Sequence, residues 1–161
     1  NVIPEYASAH YYIRADSREL VESLEPKLRA IAEGVALATG ARVEIDHQIG
    51  PRDFKLNPAL DAVLLEEFRA AGEHVDLSPQ RNKVSTDAGD ISHAVPTAHP
   101  WLKIGPDDLI FHTVPFREAA NSERGYQALL IGARVLARTG LRLLIDADAL
   151  QAVKADFTRQ P

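Results

Sequence analysis

The order of apolar and polar residues predicts a strand, a helix and a second strand in the first part of the chain. Apolar and polar side chains alternate over residues 2–15, which is typical of a strand with one buried face. Over residues 16–38 the apolar side chains recur at three- and four-residue steps, and Gly40 follows them. This spacing predicts an amphipathic helix that ends at the glycine. Alternation over residues 41–47 predicts the second strand.

The predicted helix has a start signal and an internal interruption. Asp16 is followed three positions later by Glu19, which is the spacing of a capping box. Pro26 lacks a backbone N–H, so we expect a kink or a break near Glu25. A strand-helix-strand unit usually forms a right-handed crossover, but 48 residues bury too little apolar surface to be stable alone. We therefore expect this unit to need partner strands from elsewhere.

A change of pattern separates this unit from the rest of the chain. Residues 49–57 contain turn formers and little periodicity, so we expect a linker there. Asn57 is a good N-cap and Pro58 suits the first helical position. The apolar stripe that follows, up to Gly72, predicts a second helix.

The remaining residues mix strand and helix patterns, and we expect an α/β fold class. Residues 101–104 predict a buried strand between polar loops, and the apolar run 109–111 predicts the end of another. Ser122 opens a long helix, and a short last helix follows Asp146. The predicted organisation is one domain over 1–48, a linker over 49–57 and a second domain over 58–161.

Composition narrows the class of protein. The 161 residues are 45% apolar and 25% charged, which is typical of a globular protein. A formal charge of -5 argues against nucleic acid as a partner. No apolar stretch approaches the roughly 20 residues that cross a bilayer, so we expect no membrane association and a cytoplasmic location. Cysteine is absent, so histidines and carboxylates must hold any metal. Because the chain begins at Asn1 and contains no methionine, we expect it to be a piece of a longer protein.

Two short motifs imitate metal chemistry, and for both we favour a structural interpretation. His74-Val75-Asp76 places an imidazole and a carboxylate two residues apart, a spacing that some binuclear sites use, but chance supplies such triplets often. Glu66 and Glu67 could be a general base beside a ligand, yet they face away from the apolar stripe, which favours a solvated helix face. His10 and His47 are expected to be half-exposed strand histidines.

Two other segments leave a functional and a structural alternative open. Residues 85–93 crowd hydroxyls, two acids and a glycine together, so the loop either wraps a polar ligand or is a turn in which Ser85 or Asp87 satisfies backbone donors. His112 follows the apolar run 109–111 and would emerge at a strand end, where catalytic and metal-binding residues collect. The alternative is a histidine whose ring nitrogens bond to nearby carbonyls.

Several segments together resemble one family, the metal-dependent amidohydrolases and metallopeptidases with a dimerising lid domain. The family includes hippurate hydrolase, aminobenzoyl-glutamate hydrolase, auxin-conjugate hydrolases and glutamate carboxypeptidase. The resemblance is to the carboxy-terminal half, runs almost end to end, and is carried by residues 1–4, 12–14, 85–90, 112–113 and 116–120.

The resemblance implies a fold and a reaction. Residues 1–48 would be the second half of a ferredoxin-like lid through which the protein forms a homodimer. Residues 58–161 would be the C-terminal part of an α/β catalytic domain with two divalent metal ions, zinc or manganese. The complete enzyme would cleave the amide bond of N-acyl amino acids or small peptides by a metal-activated water.

The resemblance also assigns roles to four residues. His112 matches a metal ligand, Asn1 and Arg14 match lid residues that hold the substrate's carboxylate, and Asp87 lies in a substrate-side loop. His93 and His99 match no position with a role. The family's other ligands and its general base lie in the half absent here, so no catalytic residue is assigned and we expect the isolated chain to be inactive. The alternative is a non-catalytic dimerisation or carboxylate-binding module.

Overall fold

Helices are the regular structure of this protein wherever it is described. The computed structural model describes residues 1–78 and 85–159. These ranges contain the helices α1 (Arg18–Thr39), α2 (Pro58–Ala70), α3 (Ala88–Ser92), α4 (Val114–Ala120), α5 (Glu123–Ile145) and α6 (Ala147–Arg159). The chain divides into two units, Asn1–Asp53 and Phe54–Pro161.

The first unit contains α1, whose two ends follow from local chemistry. Ser17 caps the helix, because its hydroxyl accepts a hydrogen bond from the N–H of Leu20 at 3.3 Å. The cap therefore lies one residue after the predicted Asp16. Gly40 ends the helix in the left-handed conformation, with φ at 73°, as its position predicted. Of the kink or break predicted near Glu25, the break does not occur, since α1 is continuous through Pro26, and the kink stays a prediction.

The predicted strands are not formed within the residues that the structure describes. No strand forms at any of the four predicted places, which are residues 2–15, 41–47, 101–104 and 109–111. Alternation makes a segment suitable for a sheet, but a strand exists only when a neighbouring strand accepts and donates its backbone hydrogen bonds. The ferredoxin-like lid and the α/β class therefore stay predictions.

The second unit has its core where α2, α5 and α6 meet. Asn57 and Pro58 begin α2 as predicted, and Ser122 caps α5. The apolar stripe of α2 packs against one residue of α5 and one of α6. The buried cluster consists of Leu60, Leu64, Phe68, Val135 and Val153.

Asn57 joins α2 to α6 as well as capping α2. Its side chain is 1% exposed, and its oxygen accepts a hydrogen bond from the N–H of Leu60 at 2.9 Å. Its amide nitrogen donates to the carbonyl of Val153 at 3.0 Å. Both polar ends of a buried amide are thereby satisfied, so the residue stabilises the helix start and the packing of α6 together.

Candidate functional site

His112 lies in the turn before α4, and its side chain is exposed. Its φ of 61° is in the left-handed region, which costs a residue with a Cβ roughly 1–2 kcal/mol. The hydroxyl of Thr113 accepts a hydrogen bond from the N–H of Phe116 at 3.4 Å and donates to the carbonyl of Ile110 at 2.7 Å. These bonds anchor the backbone that holds the imidazole out toward solvent.

The structure bears on the two interpretations left open for His112. Within the part of the chain that the structure describes, its ring makes no hydrogen bond. The histidine capped by nearby carbonyls is therefore not observed. Backbone strain at an exposed histidine is a feature that functional sites often show, and the ring nitrogens are available to a ligand.

A row of five rings, which we call the aromatic row, leads to His112. The ring centroids of Phe54 and His99 lie 6.1 Å apart, and those of His99 and Trp101 lie 5.5 Å apart. Trp101 contacts Phe111 at 5.1 Å, and Phe111 contacts Phe116 at 5.0 Å. Phe111 immediately precedes His112 in the chain. The sequence did not indicate this row, because its members come from four separate segments.

Asp87 occupies the N-cap position of α3, but its carboxylate makes no capping hydrogen bond. Instead the hydroxyl of Thr86 accepts from the N–H of Ala88 at 3.3 Å. A turn therefore leads into the helix α3, as the structural interpretation predicted, but the side chain that accepts from a backbone donor is that of Thr86 and not of Ser85 or Asp87, and the ligand-binding alternative stays a prediction. The carboxylate of Asp87 is exposed, which leaves it accessible to a ligand.

Arg14 and Asn1 are both exposed and belong to the first unit. The guanidinium of Arg14 lies over the ring of Tyr12, 5.5 Å from its centroid. An open groove between residues 11–14 and α1 is lined by Arg14 and by Lys27. Asn1 does not line this groove.

Lys27 is a candidate that was not predicted from the sequence. Lys27 and Arg14 line the same groove. The other side chains that line this groove are aromatic or aliphatic. Two cations on an apolar wall suit a molecule that carries both a carboxylate and an apolar group. The signal was present in the helical spacing, since Lys27 lies three residues after Leu24 and four before Ile31 on the same face.

The two motifs that imitate metal chemistry have structural partners. Hydrogen bonds from the side chain and the backbone N–H of Ser78 hold the pKa of Asp76 below its ordinary value. Glu66 pairs with Arg142, and Glu67 pairs with Arg138, both on α5. The solvated-face interpretation is wrong for Glu67, which is 7% exposed, because α5 packs over it.

The described residues of this chain do not by themselves make a metal centre. Within residues 1–78 and 85–159, no three His, Asp or Glu side chains converge as metal ligands would. His112 offers one imidazole nitrogen, whereas catalytic metal sites use about three protein ligands. In the same ranges, no helix is long and apolar enough to cross a membrane.

Comparison with known proteins finds similarity to peptidases, which hydrolyse amide bonds, over nearly the whole chain. The relatives are the Xaa-Arg dipeptidases of Homo sapiens and Mus musculus. The human protein is 33% identical over 163 aligned residues, which cover 98% of this chain and 37% of the relative. The mouse protein is 32% identical over 161 residues, with the same coverage of both chains. No family model matches the sequence.

The similarity supports a peptidase or amidohydrolase class. It does not single out any of the four family members that the sequence resembles. The chain spans about 37% of the length of these relatives.

Proposed function

We propose that this chain is part of a metal-dependent hydrolase that cleaves the amide bond of N-acyl amino acids or small peptides. The observation that carries the proposal is the similarity to two dipeptidases across 98% of the chain. A dipeptide has a free carboxylate beside the bond to be cleaved, which agrees with the role that the resemblance assigns to Arg14. An aminobenzoyl-glutamate hydrolase-like activity and an Xaa-Arg dipeptidase-like activity both satisfy this requirement.

In this proposal Arg14 binds the carboxylate of the substrate. A guanidinium presents paired N–H donors that match the two oxygens of a carboxylate, and it stays charged at any physiological pH. Tyr12 supports the guanidinium from one face at 5.5 Å. The ring limits the directions that the side chain can adopt, which lowers the entropy lost when the substrate binds.

The metal part of the proposal needs donors from outside this chain. Two zinc or manganese ions would supply Lewis acidity and an activated water when bound. The described residues do not fit that group alone, because they contribute His112 without a converging set of partners. We therefore assign His112 as one proposed ligand and assign no step of the reaction to the metal.

Three further parts of the proposal concern the whole protein. It forms a homodimer through the first unit, as in the family that the sequence resembles, and exposed apolar side chains along α1 would become buried there. It acts in the cytoplasm. Asn1 and Asp87 contact the substrate, and the exposure of both side chains allows this.

The test is hydrolysis by the full-length protein that contains this chain. Arg14→Ala is expected to lower kcat/KM for an acyl-glutamate and for an Xaa-Arg dipeptide by about 10- to 100-fold, mainly through KM. The magnitude follows from losing a hydrogen bond to a charged group, worth about 1.5–3 kcal/mol. Arg14→Lys is expected to recover part of the loss.

The matched control is Arg42→Ala, because Arg42 is an exposed arginine of the same unit paired with Glu44 at 3.5 Å. It is expected to leave kcat/KM unchanged. If Arg14→Ala had the same kcat/KM as the parent, Arg14 would not be the residue that binds the carboxylate of the substrate. Binding of acyl-glutamate without hydrolysis by the metal-loaded full-length protein would support the carboxylate-binding module instead.

A further inference from the structure

Arg124, in the first turn of α5, holds the segment that leads to His112. Its Nε–H donates a hydrogen bond to the backbone carbonyl of Lys103 at 3.0 Å. Its two terminal nitrogens donate to the two carboxylate oxygens of Glu73 at 3.1 and 2.9 Å. A bidentate pair with a carboxylate fixes the plane of a guanidinium as well as its position, so the remaining Nε–H points in a defined direction.

Glu73 is itself held in place by the end of α2. Gly72 has a φ of 82°, and the N–H of Glu73 donates to the carbonyl of Phe68 at 3.1 Å, as in the Schellman motif that ends many helices. The side chain of Glu73 is 17% exposed, so solvent screens its ion pair with Arg124 only in part. The end of α2 therefore orients Arg124, which in turn holds Lys103.

Further contacts connect Lys103 with His112. The ring of Trp101, two residues before Lys103, lies 5.1 Å from the ring of Phe111. Phe111 immediately precedes His112 in the chain. On the other side of His112 is α4, and the first turn of α5 packs on the end of α4 at Gly125. The first turn of α5 thus holds the chain both before and after His112.

We propose that Arg124 is a positioning residue that keeps His112 in the backbone conformation in which its imidazole is presented. A φ of 61° is strained for a residue with a Cβ, and such strain persists only where surrounding contacts impose it. The hydrogen bond to Lys103 and the contact of Trp101 with Phe111 are contacts of this kind. The inference rests on the proposed function, in which His112 belongs to the site, and adds a residue that acts on it through the backbone.

The first experiment measures the backbone strain at His112 by urea unfolding of the chain. Glycine adopts the left-handed region without a Cβ penalty, so His112→Gly is expected to lower the equilibrium constant for unfolding about two- to fivefold. In an Arg124→Gln background the same replacement is expected to change this constant by less than about 1.5-fold, because residue 112 has relaxed. An equal effect of His112→Gly in both backgrounds would overturn the proposal.

The second experiment measures hydrolysis of an acyl-glutamate by the full-length protein. Arg124→Gln is expected to lower kcat about 10- to 100-fold, because a displaced functional group slows the reaction. KM is expected to stay the same, since binding of the carboxylate is assigned to Arg14. Arg124→Lys keeps one cationic donor and is expected to recover part of kcat. If Arg124→Gln does not fold, Arg124→Lys replaces it in both experiments.

Arg142→Gln is the matched control. Arg142 also joins α5 to α2, through its ion pair with Glu66, but it lies in the last turn of α5. The control is expected to change neither kcat nor the effect of His112→Gly on unfolding. If Arg142→Gln lowered kcat as much as Arg124→Gln does, a general loss of helix packing would explain both effects, and the proposal would be overturned.

The outcomes separate this inference from the proposed function. If His112→Gly loses its effect on unfolding in the Arg124→Gln background while the full-length protein hydrolyses no peptide, Arg124 positions His112 and the peptidase function is refuted. If the full-length protein hydrolyses the acyl-glutamate and Arg124→Gln leaves kcat unchanged, the peptidase function stands and the positioning role is refuted.

Discussion

Gly125 shows how one residue determines the packing of two helices. It lies in the first turn of α5, where that helix meets the end of α4. A Cβ at this position would lie 2.6 Å from the carbonyl oxygen of Ala119 and closer still to that of Ala120. Because both neighbours are backbone atoms, no side chain can move aside to make room.

Gly125→Ala is therefore expected to destabilise the second unit by about 1–3 kcal/mol, through overpacking. Gly132→Ala is the matched control in the same helix, since its Cβ would meet Leu102 at an ordinary 3.8 Å. It is expected to be neutral or to stabilise by about 0.5–1 kcal/mol through helix propensity. Urea unfolding followed by circular dichroism measures both, and equal stability of the two variants would contradict the packing argument.

At the scale of elements, the first turn of α2 contains an unfavourable carboxylate. Partial desolvation, and then the neighbouring charge of Asp156 on α6, raise the pKa of Asp61 above its ordinary value. Asp156 is held in place because it accepts a hydrogen bond from the N–H of Ala59 at 3.1 Å. The packing of α6 on α2 thus brings two carboxylates together.

The sign of the pH effect follows from linkage. A carboxyl whose pKa is raised on folding stabilises the protein below its unfolded pKa of about 4, and this stabilisation disappears as pH rises through the folded pKa. Asp61→Asn is therefore expected to increase the free energy of unfolding at pH 7. Since the side chain keeps access to solvent, the gain should stay below about 1 kcal/mol.

Thermal unfolding at pH 7 and pH 4 measures the difference in the free energy of unfolding between Asp61→Asn and the parent. This difference should be smaller at pH 4. Asp148→Asn is the control, because Asp148 is an exposed acid in the first turn of α6. It is expected to lose a few tenths of a kcal/mol of helix-dipole stabilisation. If Asp61→Asn lowered the free energy of unfolding at pH 7 as much as Asp148→Asn does, the proposed repulsion between Asp61 and Asp156 would be contradicted.

At the scale of the whole molecule, apolar surface remains uncovered in both units. All 22 residues of α1 are described, and none is buried; Ile31 is 63% exposed and Val35 is 58% exposed. In α5, Leu129 and Leu130 are 68% and 67% exposed. Patches of this kind mark surfaces that bind another chain or another segment.

We expect the isolated chain to self-associate with increasing concentration, as sedimentation velocity would show. Replacing Ile31 and Val35 with lysine is expected to weaken the association, because both side chains line an open groove along α1. Ala30→Lys adds one positive charge, as each of the two substitutions does, but outside that groove, and it should leave the association unchanged. A single monomeric species at every protein concentration would refute this expectation.

Local chemistry made α1, α2, α5 and α6 predictable, whereas the short helix α4 was not predicted and the short helix α3 was left open. Asn57 and Ser122 cap α2 and α5 with side-chain oxygens, and Gly40 ends α1, so these ends follow from a few neighbouring residues. The Ser17 cap was missed by one position because Asp16 and Ser17 are both good caps. The strands were predicted from alternation alone, which indicates a half-buried face but not the presence of a partner strand.

The sequence by itself indicated four helices, α1, α2, α5 and α6, together with their apolar faces and the residues that carry candidate chemistry, because these depend on neighbours within a few positions. Only the tertiary structure decided that Glu67 is buried beneath α5, that Lys27 shares a groove with Arg14, and that distant rings form a row beside His112. Such contacts join residues far apart in the chain, and their formation depends on the packing of whole elements, which no local pattern encodes.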